Sequence, residues 1–210
     1  MEEHNHGHDA HTQVGDSHEM TSYEKRAGAI LSLLTEKGVV ASDEIWRAID
    51  DMDSRTPALG AKVVARAWVD PEFKAQLLTD TKAALTELDV DIGSLNTVVA
   101  LENTDKVHNV VVCTLCSCYP RTILGVPPDW YKSLSYRSRV VVDPRGVLRE
   151  FGLELDPDVE VRVYDSTADI RYLVIPSRPA GTEAATEDEL AGLVSRDSMI
   201  GVAMASAPGK

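Results

Sequence analysis

The stretch HNVVVCTLCSCYP, residues 108–120, holds all three cysteines of the 210-residue chain within six positions, at Cys113, Cys116 and Cys118. A β-branched run leads into it and a Tyr-Pro pair closes it, so it reads as a strand that ends in a cysteine loop. Several chemistries use clustered thiols. A structural zinc site wants four tetrahedral ligands, usually two pairs from distant segments. The chain has no second cysteine pair, and His108 stands on the strand before the loop. Redox chemistry of the thioredoxin kind suits the spacing of Cys113 and Cys116 but leaves Cys118 without a role. Ordinary small hydrophobes are the bland alternative, and chance rarely gathers thiols so tightly.

The backbone offers a better account. If the amide nitrogens of Ser117 and Cys118 were deprotonated and bound the same ion as the thiolates, chelate rings would close naturally. The Cys116 sulfur and Ser117 nitrogen close a six-membered ring, and the two nitrogens and the Cys118 sulfur close five-membered ones. Two sulfurs and two nitrogens then share a plane, Cys113 supplies an axial sulfur, and one octahedral position stays open. Amidate and thiolate are strong donors that favour low-spin trivalent cobalt or iron over zinc, calcium or magnesium. Such an ion is a Lewis acid that polarises a bound substrate or lowers the pKa of bound water.

Outward from the loop, composition sets limits. A hydrophobic fraction of 43% suits a folded globular chain. An odd count of three cysteines argues against a disulfide framework. The N-terminus lacks an apolar signal run, no stretch approaches a bilayer span, and the cytoplasm is the expected compartment. A net charge of −13, from 34 acidic and 21 basic side chains, repels phosphate backbones and excludes nucleic acid as an expected partner. Residues 1–22, with His4, His6, His8, His11 and His18, read as a disordered tail.

From Tyr23 the periodicity is helical: Ala27, Ile30, Leu31 and Leu34 share a face, and Gly38 stands where a C′ glycine would. Ser42 with Asp43 and Glu44 opens a second helix. GAKVVARAWV and PEFKAQLLTDTKAALTEL read as two more, with Pro71 at N1 of the latter. Beyond Asn96 the pattern changes to strands: TVVALE, HNVVV, RVVVD, VEVRVYD and IRYLVIP. Thr186 and Glu189 form a capping box for a closing helix. The expected organisation is α+β, with a helical arm over 23–95 and a metal-binding domain over 96–210.

VVCTLCSC, followed in order by LGVPPDWYK, YRSRVV, DPRGVL, RPAGTE and LVSRDSMIGV, closely resembles the α subunit of nitrile hydratase. The likeness runs from about Tyr23 to Val202. It implies a layered α/β/β/α-type catalytic domain and hydration of a nitrile to an amide at one non-corrin metal ion per chain. The matched ligands are Cys113, Cys116, Ser117 and Cys118, of which Cys116, Ser117 and Cys118 are the catalytic set. Thr114, where iron enzymes carry serine, looks like the cobalt type, so Co(III) is expected rather than Fe(III). The family oxidises the residues at Cys116 and Cys118 to sulfinic and sulfenic acid. It draws cationic donors for those oxygens from a β subunit, in one chain or two, and uses an activator protein to load the metal.

Asp165 and Arg171 resemble an acid and base behind the claw, on one hairpin; the bland reading is a strand-end ion pair. Trp130 and Tyr131 read as core or interface. One departure stands out: where the family commonly has tryptophan and proline, this chain has Arg121 and Thr122. A cationic pocket wall implies a polar heteroaromatic or nucleoside-like nitrile such as toyocamycin, unless Arg121 turns away to pair with the partner. Thiocyanate hydrolase, whose metal subunit carries a similar claw, is the second enzyme reading. A cobalt-binding or redox module is the non-enzymatic one.

Overall fold

The structure is a computed structural model that describes residues 21–90, 92 and 97–208. The five tail histidines and residue 95, the expected domain boundary, lie outside the described residues. Thr21 caps α1 (Ser22–Glu36) in a capping box with Glu24, so the described chain opens on a helix. Contacts divide the chain after Arg47, inside α2 (Ser42–Ser54) and well before residue 95. In the first part α1 buries none of its residues and leaves Ile30 and Leu33 exposed. Gly38, at φ 63°, follows its C-cap as the glycine signal implied.

The second part begins with α3 (Ala58–Val69), whose Val63, Val64 and Ala67 are buried. The run from Pro71 expected as one helix is two, α4 (Pro71–Thr79) and α5 (Thr81–Glu87). Asp80 makes the break: its carboxylate accepts from the Ala83 amide at 3.0 Å and so starts a new helix.

Two parallel strand pairs follow. β1 (Thr97–Glu102) pairs with β4 (Ile170–Ile175), and β2 (Val107–Val112) pairs with β3 (Glu160–Asp165). Asp165 and Arg171 therefore do not share a hairpin, since β3 and β4 belong to different pairs. The near-continuous apolar run of β2 suits a buried parallel strand, with Val110, Val111 and Val112 in the core. Parallel pairing needs a long crossover. That between β2 and β3 carries α6 (Arg121–Leu124), α7 (Asp129–Lys132), α8 (Leu134–Arg139) and α9 (Pro144–Glu150).

RVVVD is not a strand. The amides of Val142 and Asp143 both return to the Arg139 carbonyl, and Asp143 caps α9 through the Gly146 amide. This local hydrogen bonding outcompetes the β propensity of three valines. At the C-terminal end, α10 (Glu187–Ala191) carries the expected Thr186–Glu189 capping box and packs on α3, as does α11 (Arg196–Ile200). No helix among the described residues is long and apolar enough to cross a membrane.

Gly201 ends α11 in the left-handed region at φ 89° and brings its carbonyl to His108 Nε2 at 2.7 Å. The carbonyl only accepts, so Nε2 carries the proton, and Nδ1 accepts from Asn103 Nδ2 at 3.2 Å. Burial lowers the His108 pKa, which keeps the ring neutral and committed to the core. A Cβ on Gly201 would stand 1.9 Å from the Asn109 carbonyl oxygen, whereas one on Gly152, at φ 81°, would meet nothing within 4 Å. Gly201→Ala should therefore cost about 2–4 kcal/mol in denaturant unfolding, against about 1–2 kcal/mol for Gly152→Ala. Equal losses would mean that the close approach to β2 is relieved by relaxation.

Candidate metal centre

The thiol loop starts where β2 ends. Cys113 continues the buried strand at 1% exposure, whereas Cys116 is exposed and Leu115 is 88% exposed. The chain therefore turns from core to surface within three residues and folds back through Cys118. Cys113 Sγ lies 3.3 Å from Cys116 Sγ, and Cys116 Sγ lies 3.0 Å from Cys118 Sγ. The Cys116 amide also donates to Cys113 Sγ at 3.3 Å. All three sulfurs fall within 4.8 Å of one another, and this is the only group of metal-ligating side chains found among the described residues.

Side chains from three other elements hold the loop. Asp165, opposite Val112 in the β2–β3 register, accepts from the Thr114 amide at 2.9 Å and from its hydroxyl at 2.6 Å. From α8, Arg137 donates through Nε to the Cys113 carbonyl at 3.0 Å and through Nη2 to the Thr114 carbonyl at 2.7 Å. From α7, the buried Tyr131 donates its hydroxyl to the Cys118 carbonyl at 2.9 Å. Its ring packs edge-on against Tyr119 at 5.1 Å, which makes Tyr131 both core and loop support.

Of the residues singled out from sequence, Cys113, Thr114, Cys116, Ser117, Cys118 and Asp165 come together. Arg171 lies beside them but does not pair with Asp165: its Nη1 donates to the carbonyls of Thr167 and Ile170. Arg121, on α6, lines a cleft of about 400 Å³ with Cys116, Ser117, Cys118, Arg171 and Arg55. Sequence reasoning missed Arg137 and Arg55. Arg137 sat in the quoted YRSRVV motif, but no local spacing ties it to a loop 24 residues away.

The thiols titrate apart. Hydrogen bonds from Cys118 and Cys113 lower Cys116 to about 7, so its thiolate is present at neutral pH. Burial and the bond to Cys116 raise Cys118 to about 12, against the opposing pull of the Arg171 cation.

A loop of three converging cysteine sulfurs at the end of a buried parallel strand, in an α+β fold, defines a chain with a cluster that could hold a metal ion. The family model described as nitrile hydratase, alpha chain, matches residues 21–203, and the chain belongs to that family. It is 55% identical over 190 residues to the low-molecular weight cobalt-containing nitrile hydratase subunit alpha of Rhodococcus rhodochrous, covering 88% of this chain and 90% of the relative. It is 41% identical over 199 residues to thiocyanate hydrolase subunit gamma of Thiobacillus thioparus, at 89% and 81% coverage. A chain of a double mutant of the Fe-type nitrile hydratase from Comamonas testosteroni Ni1 superposes with a TM-score of 0.83 at 45% identity, over 89% of this chain and 91% of that one. Nitrile hydratase alpha subunits are parts of a hydratase and pair with a beta subunit.

The supporting bonds should be measurable. Arg137→Met and Asp165→Ala should each speed amide exchange over residues 113–118 and weaken metal retention by about 10–100-fold. In the metal-free chain, iodoacetamide should label Cys116 with a midpoint near pH 7, the value to which its pKa is lowered, and leave Cys118 largely unlabelled there. Simultaneous labelling of both would contradict the splitting.

Proposed function

We propose that the chain is the metal-bearing subunit of a cobalt nitrile hydratase, with Co(III) held by the Cys113, Cys116 and Cys118 sulfurs and the amide nitrogens of Ser117 and Cys118. The sulfur spacing carries this reading. Metal–thiolate bonds of about 2.3 Å put neighbouring sulfurs about 3.3 Å apart at right angles and about 3.8 Å apart in a tetrahedron. Separations of 3.3 and 3.0 Å lie closer to the right-angled arrangement than to tetrahedral zinc. The donor set suits a low-spin trivalent ion, and the names of similar proteins include cobalt-containing nitrile hydratase subunits. When bound, the ion supplies Lewis acidity, polarising a nitrile or making water nucleophilic at neutral pH.

The residues of the chain then have defined tasks. Cys113 anchors the loop in the core, while Cys116, Ser117 and Cys118 present their polar atoms to the cleft. With dioxygen as the oxidant and source of the added oxygens, Cys116 is taken to sulfinic and Cys118 to sulfenic acid, and these oxygens orient water toward the nitrile carbon. Thr114, Asp165 and Arg137 keep the loop backbone in register. Arg171 adds positive charge beside Cys118, and Arg121 shapes a pocket for a polar nitrile, heteroaromatic or nucleoside-like, rather than a simple aliphatic one. Water adds across the C≡N bond to give an imidic acid, whose O–H proton moves to the nitrogen to give the amide. The β subunit, in one chain or two, supplies the facing wall, an activator protein loads the metal, and the cytoplasm is the compartment.

A second reading, thiocyanate hydrolysis, is favoured by the similarity to thiocyanate hydrolase subunit gamma and by Arg121. It releases carbonyl sulfide and ammonia instead of an amide. Co-expression with the β subunit in cobalt-supplemented medium should yield one cobalt per chain and about three added oxygens within the 113–118 peptide. The complex should convert nitriles to amides, and Cys118→Ala should abolish both cobalt retention and turnover. Zinc with unmodified thiols, and no amide, would refute the proposal.

A further inference from the structure

The cleft beside the thiol loop is cationic in a chain whose net charge is −13. Arg55, Arg121 and Arg171 line it, and among the described residues no Asp or Glu does. Two of these arginines are already engaged. Arg55 holds Asp51 at 2.6 Å and reaches the Thr122 hydroxyl at 3.4 Å. Arg171 spends its Nη1 on the carbonyls of Thr167 and Ile170, which fixes where its charge sits. The guanidinium of Arg121 has neither a hydrogen bond nor an ion pair among the described residues, although its backbone amide is tied to the Tyr119 carbonyl at 2.8 Å.

That combination is selective for charge. With 34 acidic side chains in the chain, three arginines and no carboxylate among the described lining residues set the cleft apart from the overall field. A free guanidinium presents a planar fork that matches a carboxylate with two parallel hydrogen bonds. A volume of about 400 Å³ admits a small molecule whose nitrile end reaches Cys116–Cys118 while its other end meets Arg121.

We infer that the substrate is an anionic nitrile, a cyano-substituted heteroaromatic carboxylate, whose carboxylate is bound by Arg121 in the field of Arg171. The inference rests on the nitrile-hydrating reading of the site and adds the charge of the substrate to it. Arg121 is then a specificity-determining residue, binding the end of the substrate that does not react.

The test uses the cobalt-loaded complex with its β subunit and a pair of heteroaromatic nitriles matched in size, 5-cyanopyridine-3-carboxylate and 5-cyanopyridine-3-carboxamide. The ratio of kcat/KM for the anion over the neutral amide should exceed one at low salt and fall as salt is added. It should drop at least tenfold in Arg121→Gln and be largely retained in Arg121→Lys. Turnover of both nitriles with a ratio at or below one, or a ratio that Arg121→Gln leaves unmoved, would overturn the anion site while sparing nitrile hydration; Arg121 would then serve contact with the partner chain. If the complex hydrates neither nitrile, the reaction assignment itself falls, and with it this inference.

Discussion

One carboxylate, that of Asp165, holds both the amide and the hydroxyl of Thr114, and the geometry of the thiol loop depends on its position. That position comes from the sheet. Parallel pairing sets Asp165 opposite Val112, and the Ser166 amide continues the ladder to the Val112 carbonyl at 2.7 Å. The acid therefore arrives at the first residue of the turn, where β2 gives up its own backbone partners. Bonds to ionised groups are worth about 1.5–3 kcal/mol against about 1 kcal/mol for neutral ones, before discounting for solvent. Asp165 and Arg137 each give the loop two bonds, where Tyr131 gives one from a more buried position. Parallel pairing also forces a long crossover, and that crossover delivers Arg121, Tyr131 and Arg137. The device that places the acid supplies the other supports.

What was legible in the sequence was mostly local. Pro71 at N1, the Thr186–Glu189 capping box and the glycine after α1 each act within one helical turn, so they stand where the periodicity put them. The β-branched runs TVVALE, HNVVV, VEVRVYD and IRYLVIP are strands for the same reason. RVVVD has the same composition yet forms a turn, because Arg139 and Asp143 offer the backbone nearer partners. Asp80 likewise breaks a helix that apolar spacing alone would continue.

The metal loop divides along the same line. Three thiols in six residues announce a site by spacing alone. Asp165 emerged only through family likeness, and its proposed partner Arg171 turned out to serve backbone carbonyls instead. Arg137 was invisible, since its bonds to Cys113 and Thr114 span 24 and 23 residues and leave no periodic mark. Strand order was equally hidden: nothing in the short link from β3 to β4 shows that they join different pairs.

The distribution of cations around the loop explains why this chain needs a second one. On the proposed reading, oxidised Cys116 and Cys118 present sulfur-bound oxygens that require charged donors to remain ordered. Arg137 commits Nε and Nη2 to two carbonyls of the loop, and Arg171 commits Nη1 to two of its own strand end. Arg121 stands free, but it faces the cleft, where a substrate must enter. Leu115 and Cys116, meanwhile, project outward from the loop with little of this chain covering them. A chain that anchors Cys113 in its core yet leaves the opposite side of the claw open has built half a site. On the proposed reading the remaining donors and the cover for Leu115 fall to the beta subunit, which would couple assembly to the chemistry of the oxidised thiols through the same exposed edge.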